Sequence, residues 1–563
     1  MTSNREHVGI APGAESYETK GRIAQRNNII AAKVIAKIVS ASLGPRGMDK
    51  MLVDGTGDIT ITNDGATMLK KFDVQNPAAK AIIEISKAID NEVGDGTTSG
   101  VVLAGALLEK AEELLDKKVN PMIIADGYRG AAIKAKEILN DLAIKVDPKD
   151  KEWLTRVAKT SMATKLVGES DFLARIAVDA VLSVAEELNG KFKVEMDNIR
   201  VEKKAGGSIR DSKLVQGLII EKSLASSGMP SNMPGMLTRI ENAKIALFMN
   251  PLEIERTKFT RNETKKEVTT IISNPEEMKM FLEKEKSIFK GMVDKIVEVG
   301  ANVVVCNKGI DDIAQHYLRK AGILAIAHRD LEAGMGWLSK ATGGRLVTSL
   351  EELSPADLGF CQLVEERKIE ESKLVFFEGC KNPKAVSILI RGGTQKVVDE
   401  DERSVHDALS VVKDVLLKPQ IVLGAGSPEA EVASKLLKWS KTLFGRKQLA
   451  VQKYAEAVES IPLAIAENAG MNPIDTLVEL RAKHSKGEKT VGVNAKEGKI
   501  EDAAKFGVYE PLSVKEEIFS AATEAAIMVL RVDEVFTKGT FRPKETKQPE
   551  WHVPGPEWHG TGV

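Results

Sequence analysis

At 563 residues the chain is too long for one core, and its length suggests about three or four domains. With 43% apolar, 29% charged and only 4% aromatic residues it has the composition of a globular protein packed by aliphatic stripes, and 81 acidic against 80 basic residues leave no overall field to draw in nucleic acid or a membrane surface. Cys306, Cys361 and Cys380 are odd in number and lack CxxC spacing, and seven scattered histidines form no HExxH pair, so buried reduced thiols are expected rather than a disulfide framework or a zinc site.

The N-terminus is polar and no run of about 18 apolar residues occurs, so the expectation is a soluble, cytoplasmic protein with no membrane anchor and no nucleic-acid partner. Residues 22–43 carry a helical pattern. A Gly/Pro turn and a hairpin follow at 44–63, with Asp54-Gly55-Thr56-Gly57 as its turn and Ile59 and Ile61 alternating with threonines. Helices are predicted at about 77–93, 97–116 and 121–142, the last opened by Asn120-Pro121, and again over 151–185. From about 215 the texture changes. IALFM (245–249), ANVVVC (301–306) and ILAIA (323–327) read as strands, and residues 301–327 as a βαβ unit.

Between them, 252–299 holds a polar stretch and then an apolar 3–4 pattern over 275–299. It reads either as a surface helix with a long loop or as a protrusion beyond its domain. Helical sequence resumes near 405 and runs to about 537, and the last 25 residues read as a loose tail.

No GxxxxGK[ST] is present, and GDGTTSG (94–100) lacks the full GxGxxG, so neither a P-loop nor a dinucleotide fingerprint applies. Alone, GDGTTS is compatible with a simple glycine turn between helices. NDGAT (63–67) repeats the arrangement, however, putting Asp64 in a second Gly turn that opens an apolar helix. Glycines at 44 and 47 in LGPRGMDKM offer backbone to a ligand where a helix ends. If the two helix starts converge, their free N–H groups form a phosphate site containing two carboxylates. Carboxylates beside phosphate require a cation, and Mg²⁺ suits one or two carboxylates plus phosphate oxygens. Asp95 then reads as the metal ligand, with Gly96, Thr97, Thr98 and Ser99 gripping phosphate. Further on, Asp407 follows a Gly-Gly turn. It reads either as an acid orienting an attacking water or as a solvated residue on a helix face.

LGPRGMDKM, NDGAT, GDGTTS, RGGT with ERSVHDAL, AENAGMNP, GKIEDAAKFGVYEP and FSAATEAAIMVLRVDE occur here in the order found in the group II chaperonins. The chain resembles that TCP-1 family, which includes the archaeal thermosome, from about residue 20 to 537. The resemblance implies a multidomain chaperonin fold. A mainly α-helical equatorial ATP-binding domain is built from 1–150 and 406–540, and a small α/β intermediate domain from 151–220 and 372–405. An α/β apical domain spans 221–371 with a helical lid protrusion at about 252–287, and 541–563 form a flexible tail.

It further implies an ATPase that folds unfolded client proteins inside a closed double ring of chaperonin subunits, using ATP with Mg²⁺ and K⁺ as an accompanying ion. By motif, Asp64 and Asp407 resemble the acids that position the hydrolytic water, and Asp95 the Mg²⁺ ligand. Gly44, Pro45 and Gly426 resemble residues lining the nucleotide, Glu510 one that binds ribose, and Lys165 in TSMATK a γ-phosphate sensor.

The chain departs from the family in three places. Gly424-Ala425-Gly426-Ser427-Pro428 replaces three glycines and an alanine. AHRDLEAGMGWLSKATGG replaces an SDMEKLA-like apical helix, and the tail lacks Gly-Met repeats. These fit a specialised paralogue in a hetero-oligomer, and leave a structural or regulatory ring subunit with weakened turnover as the alternative. A small-molecule kinase or phosphatase would need an acceptor site, for which the sequence holds no constellation.

Overall fold

A computed structural model describes residues 6–7, 16–72, 74, 76–163, 170–221, 238–253, 275–327, 332–380 and 384–538. The first helix runs over Gly21–Ser40, and strands Lys50–Val53 and Ile59–Thr62 pair antiparallel into the expected hairpin. Its turn is locked by Asp54, whose Oδ1 accepts from the Thr56 and Asp58 N–H groups. Helices Pro77–Glu92, Thr97–Asp116 and Pro121–Leu142 follow within a residue of expectation. Asn120 caps the last of them by accepting from Met122 N–H, and Pro121 occupies a first-turn position that has no donor to lose.

The stretch 151–185 divides into two helices, Lys151–Met162 and Ser170–Val184. Helical sequence at the other end of the chain begins earlier than expected, at Gln395, and one 23-residue helix reaches Leu417. Helices from both ends of the chain share one apolar cluster. Val39, Leu103, Leu107, Val412 and Phe519 are all buried in it. Such packing joins segments some 400 residues apart, so no local pattern announces it.

The middle of the chain forms a seven-stranded sheet. Arg239–Phe248, Val303–Cys306 and Leu324–Ala327 pair in parallel, with Asp312–Lys320 as the crossover helix, and confirm the βαβ unit. Arg239–Phe248 is also flanked by antiparallel Gly359–Ile369, which pairs in turn with Ser372–Cys380 and then Gly217–Ile220. A three-stranded sheet of Ile199–Ala205, Val386–Gly392 and Lys213–Val215 lies next along the chain on both sides. The polypeptide thus crosses between these sheets at Gln216 and again after Cys380.

The helix Pro275–Val299 is 25 residues long. Its C-terminal half buries Phe289, Val293 and Ile296 against the sheet, whereas Met280, Phe281 and Leu282 are exposed. The polar stretch 254–274 and the terminal segment 541–563 lie outside the described residues.

Short strands inside the helical portion escaped the sequence reading. Gln420–Leu423 pairs with Tyr509–Pro511, Val491–Asn494 with Lys499–Asp502, and Ser16–Lys20 with Glu534–Lys538. Runs of three to five residues carry too little alternation to read locally. Among the described residues no helix is long and apolar enough to cross a membrane.

Candidate functional site: two helix starts and a ring of loops

Asp64 caps the short helix Gly65–Lys71, accepting from Thr67 N–H at 2.8 Å. The helix Thr97–Asp116 starts differently. Gly96 takes a left-handed φ of 79° and, having no side chain, caps none of the first-turn N–H groups itself. Gly96 N–H donates to the Asp95 carboxylate at 2.6 Å, which fixes that acid at the mouth of the turn. The two starts converge. A Cβ placed on Gly65 would lie 2.5 Å from Thr98 Oγ1 and 3.1 Å from Thr98 Cα. Backbone approach this close is available only to glycine.

Further contacts close a ring around this point. A Cβ on Gly94 would collide with Ser410, which places the helix Gln395–Leu417 against the Gly-Asp-Gly turn. Asp407, Ser410 and Asp414 follow a three-four spacing and so share that helix face. Gly44, at φ 85°, packs on Ile465, and Gly426, at φ 74°, on Pro462. Those two residues are one turn apart on the helix Ser460–Asn468, so both loops lie side by side on one helix face. Asn468 fixes the first loop by donating to the Ser40 and Leu43 carbonyls, at 2.8 and 2.7 Å. Pro45 is carried in the same turn, which Gly47 N–H closes by donating to the Gly44 carbonyl at 2.9 Å.

The last side is formed by the strand Tyr509–Pro511. A Cβ on Gly424 would run into the Glu510 carboxylate, and Gly96 rests on Val514 and Ile518 of the helix that follows this strand. Of the expected site residues, Gly44, Pro45, Asp64, Asp95, Gly96, Thr97, Thr98, Ser99, Asp407, Gly426 and Glu510 thus lie on elements in mutual contact. Thr97 and Ser99 are buried, while Asp95, Thr98 and Asp407 are half-buried. Lys165 lies outside the described residues. The helix Lys151–Met162 that leads to it is fastened beside Glu510, because Tyr509 N–H donates to Thr160 Oγ1 at 3.2 Å.

The electrostatics are strongly acidic. Burial, with a contribution from the Asp95 charge, pushes Asp414 up to about 7 against the pull of Lys413. Burial also raises Glu510, with Glu429 and Asp95 adding to it and Lys515 opposing. Lys515 is the residue that the sequence reading missed. Its ammonium stands between Glu429 at 2.7 Å and Glu510 at 2.6 Å, with 4% of the lysine and none of the Glu429 side chain exposed. Burial works against that charge, but the two carboxylates outweigh it and hold Lys515 above its usual range. A charged residue amid Val514, Ile518 and Phe519 was the available signal, though nothing local names its partners.

Among the described residues no three ligating side chains stand together as a metal cage. The acidic groups around Asp95, Asp414 and Glu510 among them, make a field that a bound cation would relieve. Ala425, where the resemblance led to a glycine, adopts φ 59° and so keeps the left-handed bend a glycine would give. Pro428 occupies a first-turn position where proline is favourable.

The chain belongs to the TCP-1/cpn60 chaperonin family, whose sequence profile matches residues 35–540. Within the family it is similar to thermosome subunits, and it is a group II chaperonin subunit. It is 51% identical over 531 residues to thermosome subunit beta of Archaeoglobus fulgidus, covering 94% of this chain and 95% of that one. It is also 51% identical to a thermosome subunit of Pyrococcus horikoshii (93% of each chain) and 49% identical to one from Methanopyrus kandleri (95% of each).

Proposed function

We infer that this subunit binds Mg-ATP between the helix starts Gly65–Lys71 and Thr97–Asp116 and couples its hydrolysis to closure of a folding chamber. The convergence of those two starts, each preceded by an aspartate, carries the reading. Phosphate oxygens would take the N–H groups and hydroxyls of Gly96, Thr97, Thr98 and Ser99, and Asp95 would hold Mg²⁺, which neutralises developing charge on the phosphates. Gly44, Pro45 and Gly426 would line the nucleotide, with Glu510 toward the ribose and Lys165 toward the γ-phosphate.

Asp64 and Asp407 would orient the water that attacks, since phosphoryl transfer demands positioning more than covalent help. Asp407 rides on a helix that starts beside the three-stranded sheet and ends in the helical core. Hydrolysis would therefore depend on how that sheet is held relative to the nucleotide. The three-stranded sheet and its helices would form the intermediate domain and the seven-stranded sheet the apical domain. The exposed apolar start of Pro275–Val299 supports a lid protrusion there.

Assembly into a double ring in the cytoplasm, from this or related subunits, and capture of unfolded chains belong to the same reading. The loop 424–428 keeps its bend and its packing on Pro462, which supports a working motor over a purely structural subunit.

The test is ATP turnover with Mg²⁺ by the assembled ring, wild type against Asp407→Ala. Turnover should fall by about 100-fold or more while nucleotide binding is retained. Unchanged turnover in a ring made only of this subunit would overturn the role of Asp407.

A further inference from the structure

Cys361 and Cys380 are two of the three cysteines, and the chemistry of the nucleotide site uses neither. They are directly opposite one another on the antiparallel strands Gly359–Ile369 and Ser372–Cys380. Opposed residues in such a pair have Cα atoms about 4.5–5.5 Å apart, inside the range of about 4.4–6.8 Å that a disulfide spans. Both thiols are free, buried and in the same apolar cluster, and they lie within hydrogen-bonding reach of each other. Their position is also distinctive. Cys380 ends the strand from which the chain leaves the seven-stranded sheet, and its N–H donates to the carbonyl of Gln216, where the chain enters it. Cys361 belongs to a strand paired on both sides, with Ala243 across from it on the other.

We propose that Cys361 and Cys380 form a reversible cross-strand disulfide that staples the seven-stranded sheet at the chain's crossing point to the three-stranded sheet. The oxidant is a peroxide or a small-molecule disulfide. With hydrogen peroxide, the Cys380 thiolate attacks an oxygen, the O–O bond breaks and Cys380 becomes a sulfenic acid as the departing hydroxide takes up a proton to leave as water. The Cys361 thiolate then attacks the Cys380 sulfur, the S–O bond breaks and the second water leaves. Two thiols and one peroxide give one disulfide and two waters. Cys380 is the attacking member because it is the more exposed, 5% against 0%. The neighbouring Cys361 thiol also draws Cys380 below the usual range and is itself lifted above it.

The third cysteine is an internal control. Cys306 is buried in a different cluster, and burial pushes its thiol up. The purified protein is treated with hydrogen peroxide, quenched in acid, unfolded in an alkylating agent and mapped without reduction. The expected result is a linked Cys361–Cys380 peptide, an intact mass lower by two hydrogens, an alkylated Cys306, and full reversal by dithiothreitol. Cys361→Ser should instead leave a sulfenic acid at Cys380 that a dimedone probe captures, and Cys380→Ala should leave none.

Three alkylated thiols after treatment, a link involving Cys306, or oxidation of either cysteine to sulfinic acid without a link would each overturn the proposal. So would an unchanged hydrogen-exchange rate along strands 217–220 and 359–380 in the linked protein, because a staple must slow their opening. None of these readouts depends on ATP turnover, so they stand or fall apart from the proposed motor.

Discussion

Single atoms decide how the proposed nucleotide site closes. At Gly65 the neighbour is backbone as well as side chain, so Gly65→Ala should push the two helix starts apart. We expect a loss of about 1–3 kcal/mol in stability and at least about tenfold weaker binding of ATP, read by urea unfolding and calorimetric titration. Gly291→Ala, where the added methyl meets open space, should cost nothing by either measure.

Asp401 poses a different question. It is 1% exposed, and one of its carboxylate oxygens has no hydrogen-bond partner in the structure among the described residues. Burial, helped by Glu400, pushes it up to about 6. A carboxyl raised above its unfolded value of about 3.9 binds its proton more tightly when folded. Its contribution is therefore complete below about pH 4 and is lost as pH rises through about 6. Asp401→Asn should flatten the fall in urea midpoint across that window, and a wild-type slope in the variant would refute the assignment.

At the scale of elements, the strand Tyr509–Pro511 and the helix Leu512–Leu530 are bound to the helix Ser427–Ser440 by Lys515, which stands between the buried Glu429 and the half-buried Glu510. Removing one partner from a buried ionic group strands the others without solvent. Lys515→Met should therefore destabilise by about 3–5 kcal/mol, with part of the loss restored by adding Glu429→Gln. Equal stability of the single and double variants would show that the carboxylates reach water or other partners. Local capping explains why helix boundaries such as Pro121–Leu142 were legible in the sequence. The strand Gln420–Leu423 was not, because its two neighbours come from residues 144–145 and 509–511.

For the whole molecule, the hairpin Lys50–Thr62 is the exposed element that most demands a partner. Met51, Val53, Ile59 and Ile61 are all solvent-facing in the single chain, on a ribbon that pairs with no third strand among the described residues, though the Ile59 and Ile61 carbonyls accept from Lys396 and Arg403. If it joins the terminal strands of a neighbouring subunit, Val53→Asp should leave the stability of the isolated subunit within about 0.5 kcal/mol while shifting native mass spectra from rings to monomers. Rings that persist at wild-type abundance would move the interface elsewhere.

The sequence by itself determined the parts whose physics is local. Asp64 and Asp95 in glycine turns, the helix starts that follow them and the βαβ unit at 301–327 each follow from neighbouring residues and their backbone preferences. The ordered motifs also carried the family. Asp407 was ambiguous as an isolated acid, and its place beside the Gly-Asp-Gly turn emerged only when Ser410 met Gly94. Tertiary structure alone supplied Lys515 between two acids, Asp414 near Asp95 and the opposed thiols of Cys361 and Cys380. In each case the partner lies on another element, and the energy of burying charge or aligning thiols exists only once the chain has brought both members together.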